Sequence, residues 1–297
     1  MFTFEYSKSK HYPSISEGFY DEIRGGFNKE NLRKKFLNNG IVGIDLGNSE
    51  EDILVKKFYE ISDCFGSGAV RDALRRRDLK ENTINLGKVA SVDPDDVHRP
   101  HAEASFSPAK PAIICFICTD IEEEAIHSGN TTLLDGKKIW KELDIKTKKC
   151  LLNSEIIFEL AIDIPATSKN AKNIRRDWYL DAIGVQNVEI DSGLGKMYLE
   201  FKTPFVTDHP LFRELAITNH AFINPATEKQ IIKRQIKLNK DFSGLEEEIK
   251  NNVLNTLQNN IKVINWRKGR CLFIDNYRYM HGRLPYNLKL KRNILIK

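Results

Sequence analysis

The sequence predicts an α+β protein in which an antiparallel, β-rich core is flanked by helices, and three observations carry that expectation. Two helix-periodic segments open the chain, short apolar runs alternate with turn residues from about residue 111, and one late helix-periodic segment interrupts them. The first helix is expected over 28–38, with Leu32 and Phe36 on one side and Gly40 as its stop. Ile41-Val-Gly-Ile44 follows as a strand. The second helix is expected from Ser49, whose Ser-x-x-acid spacing to Asp52 is that of a capped start, and it carries Leu54, Phe58, Ile61 and Phe65 on one face before Gly66. Residues 67–100 are polar and irregular.

The β-half is expected from the runs 111–118, 155–164, 196–206, 215–223, 261–266, 271–275 and 290–296. Met197, Leu199 and Phe201 alternate with polar neighbours, as a half-buried strand requires, whereas Leu245, Ile249, Val253 and Leu257 repeat at helical spacing. No internal repeat and no Pro/Gly/Ser-rich linker divides the 297 residues, so a single domain over 1–297 is expected. Residues 166–195 are long, polar and weakly patterned, which suggests a lid or substrate-covering insert.

With 41% hydrophobic and 29% charged residues, the composition is that of an ordinary globular protein, and no apolar run is long enough to cross a bilayer. The opening residues lack the pattern of a secretory signal, so a cytoplasmic protein is expected. Five scattered cysteines, an odd number, point to free and mostly buried thiols. Cys115 and Cys118 have zinc-ligand spacing, but they sit inside a continuous apolar run and no second soft pair follows, so a strand is the better reading. The net charge of +5 comes from interleaved acidic and basic residues; the one dense triplet, Arg75-Arg-Arg77, reads as a solvated helix end, and no nucleic-acid partner is expected.

The chemistry gathers around His101-Ala-Glu103. On an extended strand this spacing puts both side chains on one face, and a third ligand is offered by His281, just after the apolar strand Cys271-Leu-Phe-Ile274. Two histidines and a carboxylate on one face of an iron(II) ion leave the opposite face open for oxygen. An isolated His-x-Glu pair is a weak signal. Arg292 strengthens it, because an arginine on the strand after His281 can grip the far carboxylate of a chelating diacid with two parallel charge-assisted hydrogen bonds.

Three separated blocks carry a family resemblance. These are His101-Ala-Glu-Ala-Ser-Phe-Ser-Pro-Ala-Lys-Pro-Ala-Ile-Ile-Cys-Phe; Ser128-Gly-Asn-Thr-Thr-Leu-Leu-Asp-Gly-Lys-Lys-Ile-Trp-Lys-Glu-Leu143; and Trp266-Arg-Lys-Gly-Arg-Cys-Leu-Phe-Ile-Asp-Asn-Tyr-Arg-Tyr-Met-His-Gly-Arg-Leu-Pro-Tyr286. Together they resemble the taurine dioxygenase superfamily, nearest its SyrP-like and clavaminate synthase-like members, and Asn219-His-Ala221 is similar to a later core strand of that group. The likeness runs from roughly residue 30 to the end of the sequence, with 67–97 and 166–195 largely unmatched.

The resemblance implies a double-stranded β-helix, a cupin-like jelly roll, flanked by helices. It also implies Fe(II), 2-oxoglutarate and O₂ as cofactor and co-substrates, with His101, Glu103 and His281 on the metal. Arg292 and Thr131 would bind the distal carboxylate of 2-oxoglutarate, Thr131 competing with its reading as a turn residue at a helix entry. Where the family usually has paired glycines before that threonine, Ser128 replaces the first. The further C-terminal arginine with which some relatives hold an anionic substrate is absent, so Arg283, Arg175, Arg176 and Asn219 are the candidate substrate contacts. His98 is the weaker ligand candidate because it lacks the carboxylate spacing, and His11, His127 and His209 have no such context.

The implied reaction is hydroxylation of an unactivated C–H bond in an amino acid or amino-acid-derived molecule, free or carrier-tethered, in specialised metabolism. Desaturation, cyclisation or epoxidation would use the same residues. Glu103 argues against halogenation, for which relatives leave that position without a ligand. A catalytically silent jelly roll and a zinc hydrolase remain rivals from other classes; the hydrolase would leave Arg292 unexplained.

Overall fold

The computed structural model describes residues 2, 4–7, 10–14, 20–22, 28–66, 87–88, 98–106, 110–163, 187–191, 193–223, 231–287 and 289–297. Its contacts group the chain into two compact units, each assembled from separated segments. One contains Tyr6–His98, Pro111–Leu134 and Ile261–Lys297, and the other Met1–Glu5, Arg99–Lys110 and Asp135–Asn260.

The first of these units is built on a sheet of β1 (Tyr20–Glu22), β2 (Ile41–Asp45), β3 (Gly87–Lys88), β5 (Ile113–Ile121), β14 (Arg270–Asp275) and β16 (Arg292–Ile296), in the order β1-β2-β14-β5-β16-β3. All neighbours are antiparallel except β1 with β2. Its central strands bury both faces. Val42, Ile44, Cys115, Ile117, Cys271, Phe273 and Leu295 pack with Leu32, Phe36, Leu54, Phe58 and Ile61 of helices α1 (Lys29–Asn39) and α2 (Glu51–Ser62). The alternate residues Ile114, Phe116, Cys118, Leu272, Ile274 and Ile294 pack with Leu133, Ile264, Trp266 and Tyr279. This two-sided burial is why 111–118 is a continuous apolar run rather than an alternating one. It also confirms the strand reading of the Cys-x-x-Cys segment, and all five cysteines are free and buried.

A second sheet has the order β13 (Lys262–Ile264), β6 (Thr131–Asp135), β15 (Tyr279–Arg283), β4 (His98–His101). Helix α1 starts where expected: Asn28 accepts from the Glu30 and Asn31 amides at 3.0 Å, and Gly40, in a left-handed conformation, closes it. The start of α2 corrects an expectation. Its N-cap is Glu50, without a side-chain cap bond, and not Ser49, because the chain leaves β2 through a turn in which Asp45 accepts from the Gly47 amide. Glu51 and Asp52 in the first turn supply the favourable charge instead.

The other unit carries the antiparallel sheet β12 (Ile231–Lys237), β7 (Glu155–Asp163), β9 (Lys196–Pro204), β8 (Asn187–Asp191), in that order. Strand β9 shows the expected alternation, with Met197, Leu199 and Phe201 buried and their neighbours half-buried. Helices α3 (Gly136–Glu142), α4 (Ile145–Leu152) and α5 (Glu246–Asn260) pack together, α5 burying Ile249, Val253 and Leu257 as its spacing predicts. Leu245 falls in the preceding 3-10 turn.

One expectation on this unit is corrected. The run 215–223 is a strand only at β11 (Leu215–Ala216), paired with β10 (Thr207–Asp208); its remainder is held by single backbone bonds to Gly136 and Ala102 and by side chains rather than by a strand partner. Of the suspected lid at 166–195, residues 166–186 and 192 lie outside the described residues, and 187–191 forms β8, paired along its length with β9.

Candidate metal and co-substrate site

His101 closes strand β4 and is buried. Its Nδ1 lies 2.8 Å from the Arg99 carbonyl, so that nitrogen carries the proton and Nε2 keeps its lone pair for a metal. Glu103 is not on the strand, as expected, but in the turn that follows. Ala104 turns the chain with a φ of 50°, and Ser105 closes the turn onto the Ala102 carbonyl through its amide at 3.3 Å and its hydroxyl at 2.7 Å. The turn, rather than strand alternation, aims the carboxylate.

His281 lies within β15, the strand that follows Cys271-Leu-Phe-Ile274 after a short turn. The chain crosses this point tightly, since a Cβ on Gly282 would strike the Tyr6 hydroxyl, the His98 carbonyl and Thr132 Oγ1. The Phe116 ring meets the His281 imidazole edge-on, 5.4 Å between centroids. His101, Glu103 and His281 each offer a ligand atom, and these atoms all lie within 4.8 Å of one another. Two imidazoles and one carboxylate are the donor set of a facial non-haem iron(II) site, so the residues fit that ion.

Arg292 begins β16. Its Nη1 donates to the carbonyls of Gly129 and, at 3.4 Å, Ser128; its Nη2 lies 3.5 Å from Thr131 Oγ1, and its guanidinium lies 5.6 Å from the centroid of the Tyr286 ring. Burial and the neighbouring Arg283 cation push its pKa down. No carboxylate pairs with it among the described residues. A half-buried cation with oxygen acceptors but no counter-ion among the described residues is suited to an acidic ligand.

Thr131 sits at the start of β6 and is buried, five residues ahead of α3 rather than at a helix entry. Its hydroxyl accepts from Trp266 Nε1 at 2.9 Å, which leaves the proton for another acceptor. The Gly-x-Thr glycine, Gly129, has φ +63°. Ser128 does not disturb that loop: its hydroxyl accepts from the Asn287 amide at 2.9 Å and ties the loop to the segment after β15.

Among the substrate candidates, Arg283 is buried, with its guanidinium 5.9 Å from the Tyr286 ring centroid. Asn219 has its amide on the Phe205 carbonyl at 2.6 Å and its side-chain oxygen on the Ala221 amide at 2.9 Å, so it braces its own segment. Arg175 and Arg176 lie outside the described residues, as does Arg75-Arg-Arg77. His98 uses its carbonyl to accept from the Tyr6 hydroxyl at 3.1 Å. His209 caps a turn, accepting the Leu211 and Phe212 amides at Nδ1, and His11 is exposed.

His220 is a buried residue near the site that sequence reasoning passed over as a site residue. Its ring stands 4.9 Å from that of His101 and its Nδ1 is 2.7 Å from Ser105 Oγ. The only signal was its place beside Asn219 in a segment of family likeness.

Comparison with known proteins gives the family. The chain belongs to the taurine catabolism dioxygenase TauD, TfdA family, whose profile matches residues 43–295. It therefore has that family's cupin-like jelly roll and is an iron- and 2-oxoglutarate-dependent dioxygenase that uses O₂ on a small-molecule substrate. No curated protein matches it by sequence.

Among solved structures, a taurine dioxygenase from Burkholderia xenovorans superposes with a TM-score of 0.57 at 11% identity, over 96% of this chain and 87% of its own. The PvcB protein from Pseudomonas aeruginosa gives a TM-score of 0.57 at 11% identity, over 99% of this chain and 88% of its own. AAD-2, solved with Mn(II) and N-oxalylglycine, gives 0.55 at 12% identity, over 96% of this chain and 95% of its own. These identities speak to the fold. Among the described residues, no helix is long and apolar enough to cross a membrane.

Proposed function

We propose that His101, Glu103 and His281 hold the iron, that Arg292 and Thr131 bind the distal carboxylate of 2-oxoglutarate, and that 1–297 acts as one oxygenase domain. The substrate on this reading is an amino acid or amino-acid-derived molecule, free or carrier-tethered, hydroxylated at an unactivated C–H bond in specialised metabolism. The observation that carries it is the convergence of the three ligand atoms within 4.8 Å. The family match, which runs from 43 to 295 through segments of both compact units, supports the single domain. The likeness of the three motif blocks to SyrP-like and clavaminate synthase-like members supports the substrate class.

An iron ion held by His101, Glu103 and His281 would supply the coupling of oxidative decarboxylation of 2-oxoglutarate to oxidation of the C–H bond. The chain's own groups bind and orient. His101 presents Nε2 because Nδ1 is spent on the Arg99 carbonyl. Arg292 fixes the far end of the diacid, with Thr131 as a hydrogen-bond donor beside it. Arg283, with its buried charge, is proposed to meet an acidic group of the substrate, with Arg175 and Arg176 as further contacts, whereas Asn219 spends its side chain on Phe205 and Ala221. Five free, buried thiols suit a cytoplasmic setting.

The test is anaerobic addition of Fe(II) and 2-oxoglutarate, followed by the visible charge-transfer band of the chelate. His281→Ala and Arg292→Ala should each weaken or abolish the band. A wild-type protein that develops none would sink the assignment. Succinate release stimulated by members of an amino-acid panel then tests the substrate class, and product analysis separates hydroxylation from desaturation, cyclisation or epoxidation.

A further inference from the structure

Beyond Ala216 the segment 217–221 has no strand partner among the described residues, and it is anchored by single bonds instead. The Ile217 amide donates to the Gly136 carbonyl at 3.1 Å. The buried Lys110 ammonium donates to both the carbonyl and the hydroxyl of Thr218, each at 3.0 Å. Asn219 spends its side chain on Phe205 and Ala221. Thr218, Asn219 and His220 are all essentially buried, so each of these bonds operates away from competing water.

From this anchored segment, two groups reach the turn that follows His101. The Asn219 carbonyl accepts from the Ala102 amide at 3.3 Å, and His220 Nδ1 meets Ser105 Oγ at 2.7 Å. The Ser105 hydroxyl gives its own proton to the Ala102 carbonyl at 2.7 Å, so Oγ is the acceptor and His220 Nδ1 carries the hydrogen. The turn is thus gripped at Ala102 and at Ser105, the residues on either side of Glu103 and of the strained Ala104. The His220 ring also stands against the His101 ring at 63°, with Phe106 and Phe158 edge-on behind it at 5.5 and 6.3 Å.

We infer that His220 and Ser105 are positioning residues for the metal centre: through the bond between them and the anchored segment 217–221, they hold the turn that aims Glu103 and brace the ring of His101. A non-glycine residue at positive φ costs roughly 1–2 kcal/mol and persists only where its surroundings hold it. The His220–Ser105–Ala102 chain of hydrogen bonds is such a holder. The inference rests on the ligand assignment above, and it adds residues that need not touch the metal.

The test is titration of the metal-free protein with Mn(II), read from the electron paramagnetic resonance signal of the free ion, for wild type and for His220→Leu, His220→Asn and Ser105→Ala. Loss of groups that orient a metal ligand commonly weakens affinity by roughly 10–100-fold. His220→Leu and Ser105→Ala should show a loss of that size while keeping a cooperative thermal transition. His220→Asn, whose amide can still donate to Ser105, should recover most of it, a rescue that a loss of packing alone would not give. Should His220→Leu fail to fold, Ser105→Ala, which removes a single oxygen, makes the same comparison.

If wild type binds Mn(II) and folded His220→Leu and Ser105→Ala bind it equally well, this inference falls and the ligand assignment stands. If wild type takes up no Mn(II), both fall.

Discussion

Arg292 and Gly129 are fitted to one another twice over: Nη1 of the arginine donates to the glycine carbonyl, and the same nitrogen lies 2.7 Å from where a Cβ on Gly129 would stand. The guanidinium is therefore seated by backbone before any co-substrate arrives. With Thr131 Oγ1 on one side and Tyr286 on the other, it has little freedom left to lose on binding.

Arg292→Lys should accordingly behave as a severe change. A lysine ammonium keeps the charge but cannot reach the Gly129 and Ser128 carbonyls and a carboxylate with one planar fork, nor lie flat beside Tyr286 in the same way. Losing a charge-assisted hydrogen bond costs roughly 1.5–3 kcal/mol, or about 10–150-fold in affinity. The KM for 2-oxoglutarate should rise by that order, with Mn(II) affinity of the metal-free protein unchanged. An unaltered KM would mean that Arg292 does not contact the co-substrate.

Gly129→Ala tests the seat itself. Besides the contact with Arg292, the new methyl would stand 2.7 Å from Tyr286 Cβ, and the φ of +63° disfavours any side chain. The variant should lose about 1–3 kcal/mol of stability, seen as a lower melting temperature, and should bind 2-oxoglutarate less tightly. Ser128→Ala removes only a hydroxyl that accepts from Asn287 at the surface, so it should cost about 1 kcal/mol or less and leave co-substrate binding alone.

What the sequence could convey follows from which interactions have a period. Leu32 and Phe36 on α1, Met197, Leu199 and Phe201 on β9, and Ile249, Val253 and Leu257 on α5 all lie where their spacing says, because burial on one face imposes the repeat. The metal and co-substrate candidates were legible as residue types at family spacing. Their local geometry was not: nothing about Ala104 announces a left-handed turn, and so Glu103 was expected on a strand face. The run 215–223 resembles a strand because it is largely apolar and buried, but beyond Ala216 its hydrogen bonds go singly to Gly136, Ala102, Lys110 and Phe205 rather than to a paired strand. His220 stayed hidden for a related reason, since one histidine in an apolar run carries no sign of the serine that pairs with it in space. Strand β8 was hidden within a polar stretch because its side chains are exposed or half-buried, and what places it is pairing with β9.

The thiols offer a test of the core that is independent of catalysis. Cys115 and Cys118, three residues apart on β5, lie on opposite faces of the main sheet, and burial pushes both pKa values up to about 12, with Cys271 on the neighbouring strand also raised well above its ordinary value. Only the thiolate is reactive, so at pH 8 these groups should resist iodoacetamide in the folded protein and label at rates set by unfolding. The same shift fixes a sign for alkaline stability. Between the ordinary thiol pKa of 9.0 and about 12, the folded state keeps protons that the unfolded state has lost, so this contribution is full below pH 9 and fades as pH rises toward 12. Urea midpoints measured from pH 8 to 11 should therefore fall, and replacing Cys115 with alanine should flatten part of that fall while lowering stability at pH 8 through the cavity it leaves. Rapid labelling of Cys115 or Cys118 in the native protein at pH 8 would show that the two-sided packing of the main sheet is looser than described.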